Sequence, residues 1–402
     1  MTKIVDIEDI RKKREKKEIG IPIENINKKE LKRRGHEIGD ILGCDEKGEE
    51  ICVRKGKGNL YVDGDMEKEQ LFDFMRSQIY QNIQRGDSMV IVDLGSRIYK
   101  RELWIYLTIH GYRVDSYNMD CMTESDCFNC LDGLGAENEE QIVMIANDII
   151  DDQKYKFMTY PVETACKALL SAVLLASLTE MEESDRNMLE IATIFRLGVS
   201  GTMLDKILHV MFEELDETSS AKQLFAMYSE AEEGIRMEAI QKIGNALAVY
   251  EKRANGSLCD NFRTNRYDME MPVKEKSVLF IESGQLPEDK VLFSVFMERL
   301  YDSMLKKAEE RQQDVTVMLL DYPYYGGLCG LEKYMEEGPE KGICTTLYED
   351  DRKLDGSGYA PHLVELYSLC DISVCIKDTE IPLCEIEKCE NPVTGECSKR
   401  KD

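Results

Sequence analysis

Two apolar runs end in a carboxylate: Ser88-Met89-Val90-Ile91-Val92-Asp93 and Val315-Thr316-Val317-Met318-Leu319-Leu320-Asp321. An aspartate at the end of a buried strand can help hold magnesium for phosphoryl transfer. That chemistry also needs backbone N–H groups wrapped around the phosphates, a lysine on their oxygens and a hydroxyl on the metal. The pattern G-x-x-x-x-G-K-[ST] meets those needs, because glycine lets the backbone approach closely. It occurs nowhere in the chain.

Thiols are the second chemistry to weigh. Cys127-Phe128-Asn129-Cys130, with Cys121 upstream, has the C-x-x-C spacing of half a zinc site. No second half is evident, so these are read as packing cysteines. Cys384, Cys389 and Cys397, with Pro392 and Gly395 between the last two, are the better metal or redox set. Three thiolates bind zinc when a fourth ligand is supplied; the plain alternative is incidental thiols in a polar tail. The histidines His36, His110, His209 and His362 are dispersed, and no nucleophile, base and orienting acid assemble from them. His209 lies in an apolar helical stretch and is read as a packed or partly exposed side chain.

The elements that must position these residues follow from periodicity. Asn59-Leu60-Tyr61-Val62 and Ile51-Cys52-Val53 read as short strands, and a helix over 67–84 places Leu71, Phe74, Met75, Ile79 and Ile83 on one face. The run ending at Asp93, a helix over 97–108 and a strand over 112–117 form a strand–helix–strand series, which predicts a right-handed parallel crossover. From residue 162 to about 254 only helical periodicity continues, and strand signals resume at Ser277-Val278-Leu279-Phe280-Ile281. The strands before and after that insertion are expected in one sheet.

With 402 residues the chain has room for two or three domains and a sizeable core. The domain reading is a charged arm over 1–37, an α/β domain over 38–155 and 259–379, an all-α domain inserted at 156–258, and a cysteine-bearing polar tail over 380–402. The longest apolar run, Ala168 to Leu178, is short for a bilayer span, and the start of the chain has no apolar signal region. A cytoplasmic protein is expected, with no membrane span. The net charge of −26 disfavours DNA as a partner. The basic arm, with Arg11, Lys12, Lys13, Arg14, Lys16 and Lys17, is interrupted by acids and reads as a solvated or partner-facing segment.

The order of these landmarks resembles the TraG-type coupling proteins of conjugative type IV secretion. Ile41-Leu42-Gly43 and Asn59-Leu60-Tyr61-Val62 look like the family's lead-in to its first nucleotide-binding strand. Val90-Ile91-Val92-Asp93-Leu94-Gly95-Ser96 stands where the family has a strand ending in Asp-Pro-Lys-Gly. Gly111-Tyr112-Arg113-Val114 is similar to its Gly-Tyr-x-Val, and Ser125-Asp126-Cys127-Phe128-Asn129 to its Ser-Asp-x-x-Asn. Asn261-Phe262-Arg263-Thr264 resembles the return to the core domain, and Val317 to Asp321 the Walker B strand. The resemblance implies a RecA-like P-loop NTPase fold, α/β with a mainly parallel sheet, plus an inserted all-α domain.

It also locates what is missing. The loop equivalent to the family's phosphate cradle reads Asp63-Gly64-Asp65-Met66-Glu67-Lys68-Glu69-Gln70, with one glycine and four carboxylates. Two like charges 4 Å apart repel by about 4 kcal/mol at an effective dielectric of about 20. Lys68 is read as a solvent-facing first-turn residue rather than a displaced phosphate lysine. Asp321 is followed by Tyr322 and Pro323, so the family's catalytic glutamate is absent, as are its arginine segment and sensor glutamine. Asp321 is read as a structural strand end, and the nearby Tyr322, Tyr324 and Tyr325 as loop packing or a partner patch.

The degenerate cofactor positions are therefore Gly64, Lys68, Glu69, Gln70, Asp93, Asp321 and Tyr322, with no catalytic residue, no resident metal and no cofactor. The expected function is an ATPase-dead scaffold, adaptor or regulator of DNA transfer, with protein partners that include an active coupling ATPase. The alternative is a DNA-dependent ATPase with an unconventional phosphate loop, binding ATP and magnesium. A stand-alone DNA-binding module is the third possibility. The family's N-terminal transmembrane helices have no counterpart here, which puts membrane anchorage in doubt.

Overall fold

The computed structural model describes residues 41–44, 50–52, 58–64, 75, 78–83, 85–93, 98–119, 125–151, 158–196, 201–253, 262–264, 266–282, 289–320, 328, 330–350, 366, 368–376, 389–391 and 396–397. In chain order these give β1 (Ile41–Cys44), β2 (Glu50–Cys52), β3 (Asn59–Gly64), β4 (Ser88–Asp93), α1 (Ile98–Ile109) and β5 (Arg113–Asn118). Six helices follow: α2 (Glu139–Asp151), α3 (Tyr160–Glu180), α4 (Met188–Arg196), α5 (Gly201–Glu213), α6 (Ser220–Ser229) and α7 (Glu233–Arg253). The chain continues through α8 (Met271–Lys274), β6 (Ser277–Glu282), α9 (Asp289–Lys307), β7 (Val315–Leu319), α10 (Leu331–Glu337), β8 (Ile343–Asp350) and β9 (Cys370–Ile376). A short hairpin of β10 (Cys389–Asn391) and β11 (Glu396–Cys397) lies in the tail.

Seven strands form one sheet in the order β5-β6-β4-β7-β8-β3-β9. β3 pairs in parallel with β8 and β9, and β7 with β4 and β8. Strands from both sides of the helical insertion thus share one sheet, as the sequence predicts. β4 and β6 are buried at every residue, which explains their unbroken apolar character: a parallel sheet is covered on both faces. The fold is the expected one, α/β with a mainly parallel sheet and an all-α insertion.

Contacts divide the chain into two compact units: Met1–Asp115 with Met269–Ile281 and Tyr301–Asp402, and Ser116–Asp268 with Glu282–Leu300. In the sheet unit, alternate residues of the strands face one layer of core: Leu60 and Val62, Met89 and Ile91, Val278 and Phe280. Met75, Ile79 and Ile83 cover that face, joined by Leu103 and Leu107 of α1. Their spacing of four residues is what aligns them along one helical stripe. Asn59 fastens the start of β3. Its amide donates to the carbonyls of Met335 (2.6 Å) and Leu369 (3.2 Å), and its oxygen accepts the Thr345 N–H (2.9 Å).

In the helical unit α3 is apolar on nearly all sides and lies at the centre, packed by α2, α6 and α7. Among the described residues it is the one helix long and apolar enough to cross a membrane, and 72% of its most apolar window is buried inside the protein. The apolar run from Ala168 to Leu178 thus belongs to a 21-residue helix whose sides are taken up by core packing. A helix hydrophobic all round is the form a buried core helix takes.

Candidate functional site at the carboxyl edge of the sheet

In an open parallel sheet, ligands bind beyond the carboxyl ends of the strands, and of the sequence-predicted positions the structure describes two at that edge, Gly64 and Asp93. β8 lies between β3 and β7, so the ends of those two strands flank its own. The strand β3 runs two residues past Val62. Asp63 sits beside Glu349 and Gly64 beside Asp350 in the β8 register, and Gly64 also opposes Ile376 of β9. Asp63 and Gly64, read from the sequence as the start of the loop, are therefore strand residues paired on both sides.

Asp93 closes β4 and is 2% exposed. Its neighbour Val92 pairs with Leu319, and the Leu320 N–H donates to the Val92 carbonyl at 3.4 Å. The β4 and β7 segments thus stay side by side up to the residue before Asp321. Lys68, Glu69, Gln70, Asp321 and Tyr322 lie outside the described residues, as do Tyr324 and Tyr325. The structure therefore places Gly64 and Asp93 on two strands of this edge, and brings acidic positions of β8 level with the end of β3.

The Ser125-Asp126-x-x-Asn129 segment acquires a structural role in the helical unit. Ser125 accepts the Asn118 N–H through Oγ at 3.0 Å, and Asp126 accepts the Ser116 N–H at 3.1 Å. The Asn129 amide donates to the Arg186 carbonyl at 2.8 Å, while its oxygen accepts the Leu131 N–H at 3.1 Å. The two polar residues tie the chain to the β5 end, and the asparagine ties it to the segment between α3 and α4. Glu282, buried at the end of β6, accepts from Ser116 Oγ (3.2 Å) and Asn118 Nδ2 (3.3 Å) in the same cluster.

Cys127 and Cys130 are buried free thiols, as packing cysteines should be. Burial pushes the Cys130 thiol up to about 12, far from the thiolate form that binds metals. Tyr117, Phe128, Cys130, Met188, Tyr250, Phe262 and Leu292 gather in one place, where Tyr117 stacks on Phe296 with centroids 4.0 Å apart and Phe128 meets both edge-on. This is packed core. Among the residues whose side chains the structure describes, no three of His, Cys, Asp and Glu gather as metal ligands.

Sequence reasoning missed one buried polar cluster, between α5, α6 and α7. Asp205 accepts the Tyr228 hydroxyl at 2.7 Å and the Arg236 guanidinium at 3.2 Å through both Nε and Nη2. Arg236 also donates to the Ala231 carbonyl at 2.7 Å. Burial, and then the Asp205 carboxylate, raise the Tyr228 phenol well above its ordinary range. The carboxylate bond raises Arg236 as well, so Arg236 is held as the cation and Tyr228 as the neutral phenol. His209 is half-exposed beside it, its ring edge-on to Phe225 with centroids 5.0 Å apart.

No family model matches the chain, and no curated protein matches it. Among solved structures the chain is similar to the bacterial conjugative coupling protein TrwBdeltaN70 in its trigonal form with sulphate. That likeness has 15% identity and a TM-score of 0.59 over 87% of this chain and 77% of that one. The unbound monoclinic form gives 15% identity and a TM-score of 0.58 over 86% and 74%. The plasmid coupling protein TrwB in complex with ADP and Mg2+ gives 14% and 0.56 over 86% and 76%. At such identity the likeness is one of fold, and the fold is that of the RecA-like P-loop NTPases with an all-α insertion.

Proposed function

We propose that the protein is a coupling-protein-like component of a conjugative type IV secretion system that acts without ATP hydrolysis, as a scaffold, adaptor or regulator of DNA transfer. One observation carries this: a chain with the fold of TrwB has Asp63-Gly64-Asp65-Met66-Glu67-Lys68-Glu69-Gln70 where β3 ends and the phosphate loop of such a fold begins. Backbone N–H groups cradle phosphates only when glycines permit the approach, and a lysine and hydroxyl must follow. None of the three requirements is met by this stretch. The β8 register adds Glu349 and Asp350 beside Asp63 and Gly64, so negative residues crowd the strand end that a nucleotide's phosphates would approach.

Protein partners and a cytoplasmic setting belong to the same proposal, with an active coupling ATPase as the partner and no nucleotide cofactor of its own. Such partners would have apolar surface to bury: Trp104, Ile105 and Ile109 of α1 and Met203, Val210 and Met211 of α5 are exposed. The test is calorimetric titration of the full chain with ATP and magnesium, with TrwB as positive control. No heat and no thermal stabilisation up to millimolar nucleotide is the expected result. Micromolar binding would overturn the proposal and turn attention to DNA-stimulated hydrolysis.

A further inference from the structure

Two helices are apolar on a face turned to solvent as well as on the face they bury, and the two outer faces are opposite in charge. α1 buries Leu103 and Leu107, yet Trp104, Ile105 and Ile109 are exposed, the isoleucines at 70% and 76%. α5 buries Leu204, Leu208 and Phe212, while Met203, Val210 and Met211 are each more than half exposed and Ile207 is half-buried. Residues four and seven apart share a helix face, so Met203, Ile207 and Val210 form one row with Met211 beside it. Apolar rows of this kind mark surfaces that another molecule covers.

Each row carries charge at one end, set against its own helix dipole. α1 has no acid in its first turn and carries Lys100 and Arg101 near its start, with Lys100 Nζ 5.9 Å from the Trp104 ring centroid. α5 has no base in its last turn, and Glu213, Glu214, Asp216 and Glu217 are exposed at and beyond its end. A helix start is the positive pole and its end the negative pole, so each group of charges suits another helix better than its own. Antiparallel packing of α1 on α5 brings Lys100 to Glu213 and Glu214, opposes the dipoles and lays the apolar rows face to face. The spans agree: Lys100 to Ile109 and Met203 to Met211 measure about 13 Å and about 12 Å at the helical rise. We propose that α1 of one copy packs antiparallel on α5 of a second copy, Trp104, Ile105 and Ile109 meeting Met203, Ile207 and Val210. A lipid surface would answer the basic α1 row alone, because anionic headgroups repel the acidic end of α5. A second copy answers both. Repulsion between chains of net charge −26 is screened beyond about 8 Å at physiological salt. The pairing rests on exposed residues and their charge, so nucleotide binding would leave it standing.

The test is sedimentation velocity of the full chain at about 0.15 M salt over a range of concentrations. The fluorescence of Trp104, the one tryptophan of the sequence, is the second readout. Mass above the monomer is expected as concentration rises, with a blue shift as Trp104 leaves water. Ile105→Asp and Val210→Asp should each weaken association by about tenfold or more. Both positions are exposed, so circular dichroism should show the parent fold. Mixed together, these two variants should form a one-to-one pair, because one retains α5 and the other α1. Lys100→Glu and Glu214→Lys should each weaken association, and the chain carrying both should regain it. A chain that stays monomeric would overturn the pairing, and a Trp104 shift seen then with anionic vesicles would assign α1 to lipid instead. So would a mixture that remains monomeric, or a double charge variant no better than the single ones.

Discussion

Asp205 holds the Tyr228 hydroxyl and the Arg236 guanidinium between three helices, and each partner is buried or half-buried with it. Removing the carboxylate leaves a part-buried cation and a buried phenol without their acceptor, which costs about 1–3 kcal/mol. Asp205→Ala is therefore expected to destabilise the protein by that amount, read as a fall in the denaturant midpoint. Tyr228→Phe removes one hydrogen bond and should cost about 1 kcal/mol in the same measurement. An Asp205→Ala chain as stable as the parent would show that the cluster adds nothing. Nothing in the local sequence marks these residues, because they stand on three different helices and one acid among 78 carries no signal. Periodicity identifies apolar faces; it is blind to a polar pair turned inward. Asp93 was legible for the opposite reason, since it ends an apolar run that could only be a buried strand.

Among the elements, β8 shows how far pairing outruns apolar character. Hydropathy ends that strand at Leu347, but pairing with β3 continues through Tyr348, Glu349 and Asp350. The end of β3 was underestimated for the same reason, as Asp63 and Gly64 carry no apolar signal yet keep their ladder partners. Backbone pairing, not side-chain polarity, decides where a strand stops. Positions beyond β3, Lys68 to Gln70, lie outside the described residues, so of the candidate positions the structure describes Gly64 and Asp93 alone. At the entrance to β8, Gly342 takes φ +74°, and an added Cβ would come within 2.5 Å of Arg311 Nε and 2.6 Å of Asp314 Oδ1. Left-handed backbone costs an L-residue about 1–2 kcal/mol. Gly342→Ala should lower stability by at least that amount, seen as a fall in Tm, and an unchanged Tm would mean that the turn is free to rearrange.

At the scale of the molecule, charge separates the readings of function. The helical unit carries 32 Asp and Glu against 15 Lys and Arg, so its net charge opposes a phosphate backbone. Nucleic-acid binding draws its affinity from counterions released by cationic side chains and falls steeply with salt. The full chain is expected to show no binding to duplex DNA by fluorescence anisotropy at about 50 mM salt. Steeply salt-dependent binding there would instead place the basic arm, with Arg11 to Lys17, in contact with DNA. The net charge made this expectation available from composition, but its concentration in the helical unit becomes visible only once the two units are delimited.

The strand order also governs how the chain is made. β3 has β8 on one side and β9 on the other, and both are translated long after it. A ribosome adding roughly 5–20 residues per second takes on the order of 15–60 s to travel from β3 to β9. During that interval Leu60, Tyr61 and Val62 are apolar residues of a strand whose two partners do not yet exist, a segment prone to pair with other nascent chains. The helices α2 to α7 are complete well before the sheet can close, so synthesis runs from a finished bundle to a sheet assembled last around its earliest strand.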